Sequence, residues 1–286
     1  MLDINAAVEE WLTDHASRGC NPQSMFDAML KVGFEPERAA GVIDATFKGI
    51  QSKDPLPMGI AARPSEYLYD ACPVAVDNAI RAFDRDVIVS MRCERPQIIA
   101  FDNVLSAEEC AEVIERSRPR LKRSATGAGV YNSIRTSDTA VFRPGEDAFI
   151  QRLEQRFASL MNWPVENGEP LQVQRYKVTG EYKPHHDYYS PQQPGAIARG
   201  KDGGQRVATL IVYLNDVPQG GATQFPLLGE LSIAAKQGGA LYFRYMNGLR
   251  QLDALTLHAG APVLAGEKWI VTKWVTERPL ESRARR

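Results

Sequence analysis

Beyond Leu171 the sequence breaks into short strand-like runs divided by glycine or proline turns, and that texture constrains the fold more than any other feature. Leu171 to Lys177, Val207 to Leu214, Leu231 to Ile233, Ala240 to Arg244, Leu255 to His258 and Trp269 to Thr276 each read as a strand. Gly220-Gly221, Gly238-Gly239 and Gly260-Ala-Pro262 supply turns between them. Upstream, Asp86 to Met91 and Gln97 to Phe101 resemble two further strands. Ser106 with Glu109 three residues on forms a capping box for a helix through Ser117. A second helix spans Gly145 to Met161, with Phe149, Leu153, Phe157 and Leu160 at helical spacing. Helices followed by many strands predict the α+β class: a double-stranded β-helix (jelly-roll) barrel with supporting helices.

The first 52 residues have a different period and predict a small three-helix domain. Asp3 caps the first helix, which presents Ile4, Ala7, Val8, Trp11 and Leu12; Asn21-Pro22 opens the second, with Met25, Phe26, Met29 and Leu30 facing inward. Glu35-Pro36 opens the third, striped by Ala39, Val42, Ile43 and Phe47. Such a unit binds a protein partner or mediates packing and dimerisation. Residues 53–80 carry Pro55, Pro57, Pro64 and Pro73 with little apolar period and read as a linker, 81–280 as the barrel domain, and 281–286 as a frayed basic tail containing Arg283, Arg285 and Arg286.

A net charge of −1 leaves no electrostatic footprint for nucleic acid or an anionic membrane. No apolar run approaches the ~20 residues of a spanning helix, and Met1 is not followed by a leader pattern, so the expected location is cytoplasmic. Cys20, Cys72, Cys93 and Cys110 show no metal-type spacing and read as reduced thiols.

Three of the four histidines fall near one acidic residue. On an extended strand His185 and Asp187 leave from one face and His186 from the other. His258, roughly 70 residues later, would complete a two-histidine, one-carboxylate set with the far side of an iron(II) ion open. Ten residues on, Lys268 shares a strand face with Ile270, Thr272 and Trp274. An ammonium projecting into a barrel needs an anion, because burying an unpaired charge is costly; the distal carboxylate of 2-oxoglutarate would supply it.

Four ordered runs then carry a family resemblance: Tyr176-Lys-Val-Thr-Gly-Glu-Tyr-Lys-Pro-His-His-Asp187, Gly203-Gly-Gln-Arg-Val-Ala-Thr-Leu-Ile-Val-Tyr-Leu-Asn-Asp216, Gly220-Gly-Ala-Thr-Gln-Phe-Pro226 and Leu257-His-Ala-Gly-Ala-Pro-Val-Leu-Ala-Gly-Glu-Lys-Trp269. Together they resemble the catalytic domain of the prolyl 4-hydroxylases, iron(II)- and 2-oxoglutarate-dependent dioxygenases, over about Gln97 to Pro279. The resemblance implies that His185, Asp187 and His258 are the iron ligands and the catalytic set. Tyr176, Thr223 and Lys268 match positions that hold the distal carboxylate of 2-oxoglutarate, and Trp274 one that lines the site. Arg135, Ser137, Glu169, Tyr182 and Arg206 match positions that contact the peptide substrate. Where the family often shows a histidine two residues after the tryptophan, this chain has Thr276.

The implied reaction consumes dioxygen and 2-oxoglutarate, with ascorbate as a further candidate cofactor, and yields succinate, carbon dioxide and a hydroxylated substrate. The expected substrate is a proline-containing peptide or protein, hydroxylated at C4. A free amino acid such as proline or pipecolate is the alternative substrate. Outside hydroxylases, the rivals are a partner-binding module acting through the N-terminal helices and a cupin-like isomerase or zinc protein on the same barrel.

Overall fold

The computed structural model describes residues 6–17, 22–52, 67–124, 135–189, 202–229 and 231–280. Asp3, Ile4, Cys20 and the basic tail with Arg283, Arg285 and Arg286 lie outside the described residues. The chain divides into two compact units, Met1–Glu66 and Tyr67–Arg286, so the division falls inside the stretch read as a linker. Among the described residues no helix is long and apolar enough to cross a membrane. Cys72, Cys93 and Cys110 are free thiols.

The first unit contains α1 (Ala6–Ser17), α2 (Pro22–Lys31) and α3 (Pro36–Ser52). Proline opens both α2 and α3, where its missing N–H would have had no helical partner anyway. Leu12, Ala16, Met25, Met29, Ala39 and Ile43 form the unit's own apolar cluster.

Among the described residues of the second unit, two helices, α4 (Ala107–Ser117) and α5 (Ala148–Met161), accompany fifteen strands. These are β1 (Ala79–Ala82), β2 (Arg85–Glu94), β3 (Gln97–Asp102), β4 (Lys122–Arg123), β5 (Asp138–Phe142), β6 (Leu171–Tyr176), β7 (Tyr182–His185) and β8 (Arg206–Tyr213). They continue with β9 (Gln219–Gly220), β10 (Thr223–Phe225), β11 (Leu231–Ile233), β12 (Ala240–Arg244), β13 (His258–Gly260), β14 (Val263–Ala265) and β15 (Lys268–Thr276). Nine strands make one antiparallel sheet in the order β1-β2-β3-β12-β8-β15-β6-β5-β4; four make a smaller one, β11-β10-β13-β7, and β14 pairs with β9.

The central strands of the large sheet are buried on both faces, and their residues alternate between two cores. On β8, Ala208, Leu210 and Val212 join the cluster that includes Val113, Leu153 and Phe157 of α4 and α5. Ile211 and Tyr213 instead join Tyr176, Phe225, Phe243 and Ile270. All nine residues of β15 are buried as well, although Lys268, Thr272, Lys273 and Thr276 interrupt its apolar positions. Helices therefore cover one face of the large sheet, and the other face meets the strands that carry the histidines.

Local capping departs from the sequence reading at two places. The second helix begins at Ala148 rather than Gly145, because the Asp147 side chain accepts from Ile150 N and caps it, while Gly145 sits in a left-handed turn at φ 60°. The run read as a strand from Leu255 to His258 is a 3-10 turn, Ala254–Thr256, and the strand starts only at His258. Asp253 is the cause: its carboxylate accepts from Leu255 N and its carbonyl from Thr256 Oγ1, bonds that fold the backbone back on itself. The capping box of α4 is present in both its bonds, Glu109 N to Ser106 Oγ and Ser106 N to Glu109 Oε2.

Candidate active site

The small sheet brings the two distant histidines together, because His185 at the end of β7 and His258 at the start of β13 are register partners. The strand stops at His185, so Asp187 reaches the pair from the turn beyond it rather than from an extended strand. His185 Nε2 lies 3.6 Å from Asp187 Oδ1, and His258 Nε2 lies 3.7 Å from Asp187 Oδ2. One ligand atom from each of the three falls within 4.8 Å of the others.

Neighbouring groups fix what those atoms can do. His185 Nδ1 donates to Lys183 O at 2.9 Å and His258 Nδ1 to Thr256 O at 3.0 Å. A carbonyl only accepts, so Nδ1 of each ring carries a proton, and Nε2 is the atom that offers a lone pair to a metal in the neutral ring. Burial, reinforced by the nearby His185, pushes His258 down to about 4, which keeps that imidazole neutral at ordinary pH. Burial alone would raise the Asp187 carboxyl, but the facing His258 and His185 and the guanidinium of Arg206 hold it well below the usual carboxylate range. Its Oδ2 also accepts from Thr209 Oγ1 at 2.7 Å. Two imidazole Nε2 atoms and one carboxylate, already oriented by hydrogen bonds, are a donor set suited to iron(II). His186 turns away and donates through Nε2 to Ala254 O at 3.1 Å.

Lys268 opens β15 as the register partner of Tyr176 and is 3% exposed. Its Nζ sits 5.9 Å from the Tyr176 ring centre and 5.7 Å from that of Tyr213, and no ion pair reaches it among the described residues. Burial alone pushes its ammonium down to about 7. Beside it Tyr213 donates to Thr223 Oγ1 at 2.9 Å. Tyr176 is held by hydrogen bonding with Ser137 and Arg135, and Arg135 Nε donates to Ser137 Oγ at 3.1 Å.

Around the open side of the trio, Tyr182 stacks on His185 with ring centres 3.5 Å apart, and Arg135 lies over the other aromatic partner of that stack, 5.2 Å from the Tyr182 centre. Arg206 makes a forked pair with Glu169, at 2.6 and 2.7 Å, and donates to Asp187 O at 3.2 Å. Its guanidinium lies 4.0 Å from the Trp274 ring centre. Trp274 Nε1 is buried and finds no hydrogen-bond partner among the described residues. Glu169 is itself fixed from behind: Lys273, paired with Glu154 at 2.8 Å, donates to its backbone carbonyl. A Cβ at position 168 would meet Lys273 Cε at 2.3 Å, so a side chain there must displace the end of Lys273. Thr276 faces none of this; its hydroxyl bonds with the carbonyls of Asn167 and Arg278.

The predicted site residues thus fall in one neighbourhood: His185, Asp187 and His258 at its centre, with Tyr176, Thr223, Lys268, Arg135, Ser137, Tyr182, Glu169, Arg206 and Trp274 around them. Thr209 and Tyr213 were not among them. Both lie on the same face of β8, and the only sequence signal was two hydroxyls four positions apart in a mostly apolar run.

The family model for the 2OG-Fe(II) oxygenase superfamily matches residues 171–276. Prolyl 4-hydroxylase 1 of Arabidopsis thaliana is 39% identical over 202 residues, which cover 64% of this chain and 70% of that protein. The chain belongs to the prolyl 4-hydroxylase family. Prolyl 4-hydroxylase subunit alpha-1 of Mus musculus is 36% identical over 195 residues, 66% of this chain but only 36% of that longer protein. Among solved structures, the viral collagen prolyl hydroxylase of Paramecium Bursaria Chlorella virus-1, in its 2-oxoglutarate complex, superposes with a TM-score of 0.51 at 32% identity. That match covers 62% of this chain and 94% of the viral one.

As a member of the prolyl 4-hydroxylase family the protein is a 2-oxoglutarate-dependent dioxygenase that uses iron(II) and dioxygen. The histidine–carboxylate trio is a donor set for iron(II), and the buried Lys268 offers a cation to a carboxylate beside it. Thr209→Val keeps the shape of the residue behind Asp187 and removes its donor. A hydrogen bond to a charged group contributes about 1.5–3 kcal/mol, and loss of such a partner behind a metal ligand weakens binding roughly 10- to 100-fold. A drop of that size in affinity for Co(II), read by titration, is the expected result.

Proposed function

We propose that the protein hydroxylates C4 of a prolyl residue in a peptide or protein, releasing succinate and carbon dioxide, on a jelly-roll barrel formed by the two facing sheets. His185, Asp187 and His258 hold the metal through their Nε2 and carboxylate atoms. Bound iron(II) with 2-oxoglutarate and dioxygen supplies the oxidising power; the chain supplies binding, orientation and exclusion of water.

The observation that carries this reading is the buried, unpaired Lys268 ammonium beside the histidine–carboxylate trio. A cation in that position is stabilised by a distal carboxylate, and an isomerase or a structural zinc protein would leave it with nothing to bind. Tyr213 donates its proton to Thr223, so the Thr223 hydroxyl hydrogen is free to point at the same carboxylate. Tyr176 walls that end. On the open side, the substrate meets Tyr182, Arg135, the Arg206–Glu169 pair and Trp274, whose unused indole N–H is a donor for a backbone carbonyl. Ser137 fixes Arg135 from behind.

The test uses purified full-length protein with iron(II), ascorbate and 2-oxoglutarate, and compares free proline with blocked prolyl peptides. Succinate release together with a gain of one oxygen on a peptide is the expected result. Succinate coupled only to a free amino acid would replace the substrate, and no coupled turnover with either would overturn the proposal.

A further inference from the structure

The segment entering the second unit at Tyr67 lies outside the family match and is tied down along its length. Asp70 takes a forked pair from Arg244 at 2.7 and 3.0 Å, and Leu68 N donates to Gln251 Oε1 at 3.0 Å. Between these anchors Tyr69 donates its hydroxyl proton to Asp253 Oδ2 at 2.9 Å. Tyr67, packed edge-on against Tyr69, has a buried hydroxyl with no hydrogen-bond partner among the described residues.

Asp253 is 2% exposed, and no salt bridge to it is present among the described residues. Its two carboxylate oxygens are divided between two jobs. Oδ1 accepts from Leu255 N at 3.0 Å and shapes the 3-10 turn, while Oδ2 is left for Tyr69. The backbone of Asp253 is fixed as well, donating to Tyr245 O at 2.8 Å and accepting from Thr256 Oγ1 at 2.7 Å. What this turn delivers is two carbonyls. Thr256 O takes the Nδ1 proton of His258 at 3.0 Å, and Ala254 O takes the Nε2 proton of His186, the neighbour of both His185 and Asp187.

We infer that Tyr69 is a positioning residue for the metal centre: by occupying the second oxygen of Asp253 it holds the turn whose Thr256 carbonyl aims His258. A buried carboxylate without an ion pair depends on its hydrogen bonds, so removing one of its two donors loosens the group that shapes the turn. The looseness passes to the Thr256 carbonyl and from there to the direction of the His258 lone pair. A tyrosine more than a hundred residues away in sequence thereby governs how well the trio grips a cation. The inference rests on His185, Asp187 and His258 being the metal ligands.

The experiment measures Co(II) affinity by competition with a chromogenic chelator, without cosubstrate, on the full chain. The proteins are wild type, Tyr69→Phe, Tyr67→Phe and Asp187→Ala, and thermal unfolding of each metal-free protein is recorded alongside. Tyr69→Phe is expected to weaken Co(II) binding roughly tenfold, the lower end of the range for hydrogen-bond partners around metal ligands, with Tyr67→Phe at wild-type affinity. Unchanged Co(II) affinity in Tyr69→Phe overturns the inference even if its unfolding temperature falls, since that is the signature of a purely structural role. An equal loss in Tyr67→Phe also overturns it. If Asp187→Ala binds Co(II) as wild type does, the ligand assignment itself has failed.

Discussion

Asp187→Ala is expected to abolish succinate formation, by roughly a thousandfold or more, which corresponds to a barrier raised by about 4 kcal/mol. The residue does three things at once. It supplies the single anionic donor between two imidazoles, it accepts from Thr209, and its backbone carbonyl accepts from Arg206. Alanine removes the first two and keeps the third, so the wall formed by Arg206, Glu169 and Trp274 stays in place. Asp187→Asn is the sharper comparison. It retains the volume and an oxygen for Thr209 but loses the charge, so activity lost in both variants traces to the metal and not to packing. Succinate quantified under saturating 2-oxoglutarate, together with Co(II) titration, checks both; either variant retaining wild-type turnover would remove Asp187 from the metal set.

Parts of this site were legible in the sequence because the chemistry is compact there. A histidine and an aspartate with one residue between them have few ways to avoid each other, and β7 with its following turn brings them within 3.6 Å. Lys268 was legible for a different reason: it shares a strand face with Ile270, Thr272 and Trp274, and all four are buried together. Thr209 and Tyr213 were hidden by the same burial that makes β8 a good strand. When both faces are covered, the run reads as uniformly apolar, and nothing in its period tells which face holds ligands and which packs on a helix. The 3-10 turn before His258 was mistaken for strand because Leu255, Leu257 and their neighbours alternate. What overrides the alternation is a side-chain cap from Asp253, a bond that no periodicity encodes. Tyr69 was less visible still, since its partner lies 184 residues away.

Lys268 carries the second large effect, and its sign with pH follows from burial. The ammonium is pushed down to about 7 because nothing in the chain offsets its loss of water. A dicarboxylate placed beside it favours the charged form and raises that value again. On the proposed assignment, binding 2-oxoglutarate therefore takes up a proton wherever the free lysine is neutral. The half-saturating concentration should be flat below about pH 7 and climb as pH rises above it, approaching tenfold per unit. Stability of the unliganded protein runs the opposite way. The unfolded chain keeps this proton up to about pH 10.4, while the folded chain releases it near 7, so across that window the unfolded state binds more protons and the fold gains stability with rising pH. Lys268→Met removes both slopes. Breaking a buried ion pair costs about 3–5 kcal/mol, and about 1.4 kcal/mol is a factor of ten, so its half-saturating 2-oxoglutarate concentration should rise roughly 100-fold or more and lose its pH dependence. Competition binding of 2-oxoglutarate to the Co(II) protein from pH 6 to 9 reads all of this. A wild-type curve that stays level, or a methionine variant that binds 2-oxoglutarate as tightly as lysine, would mean that the distal carboxylate is held elsewhere.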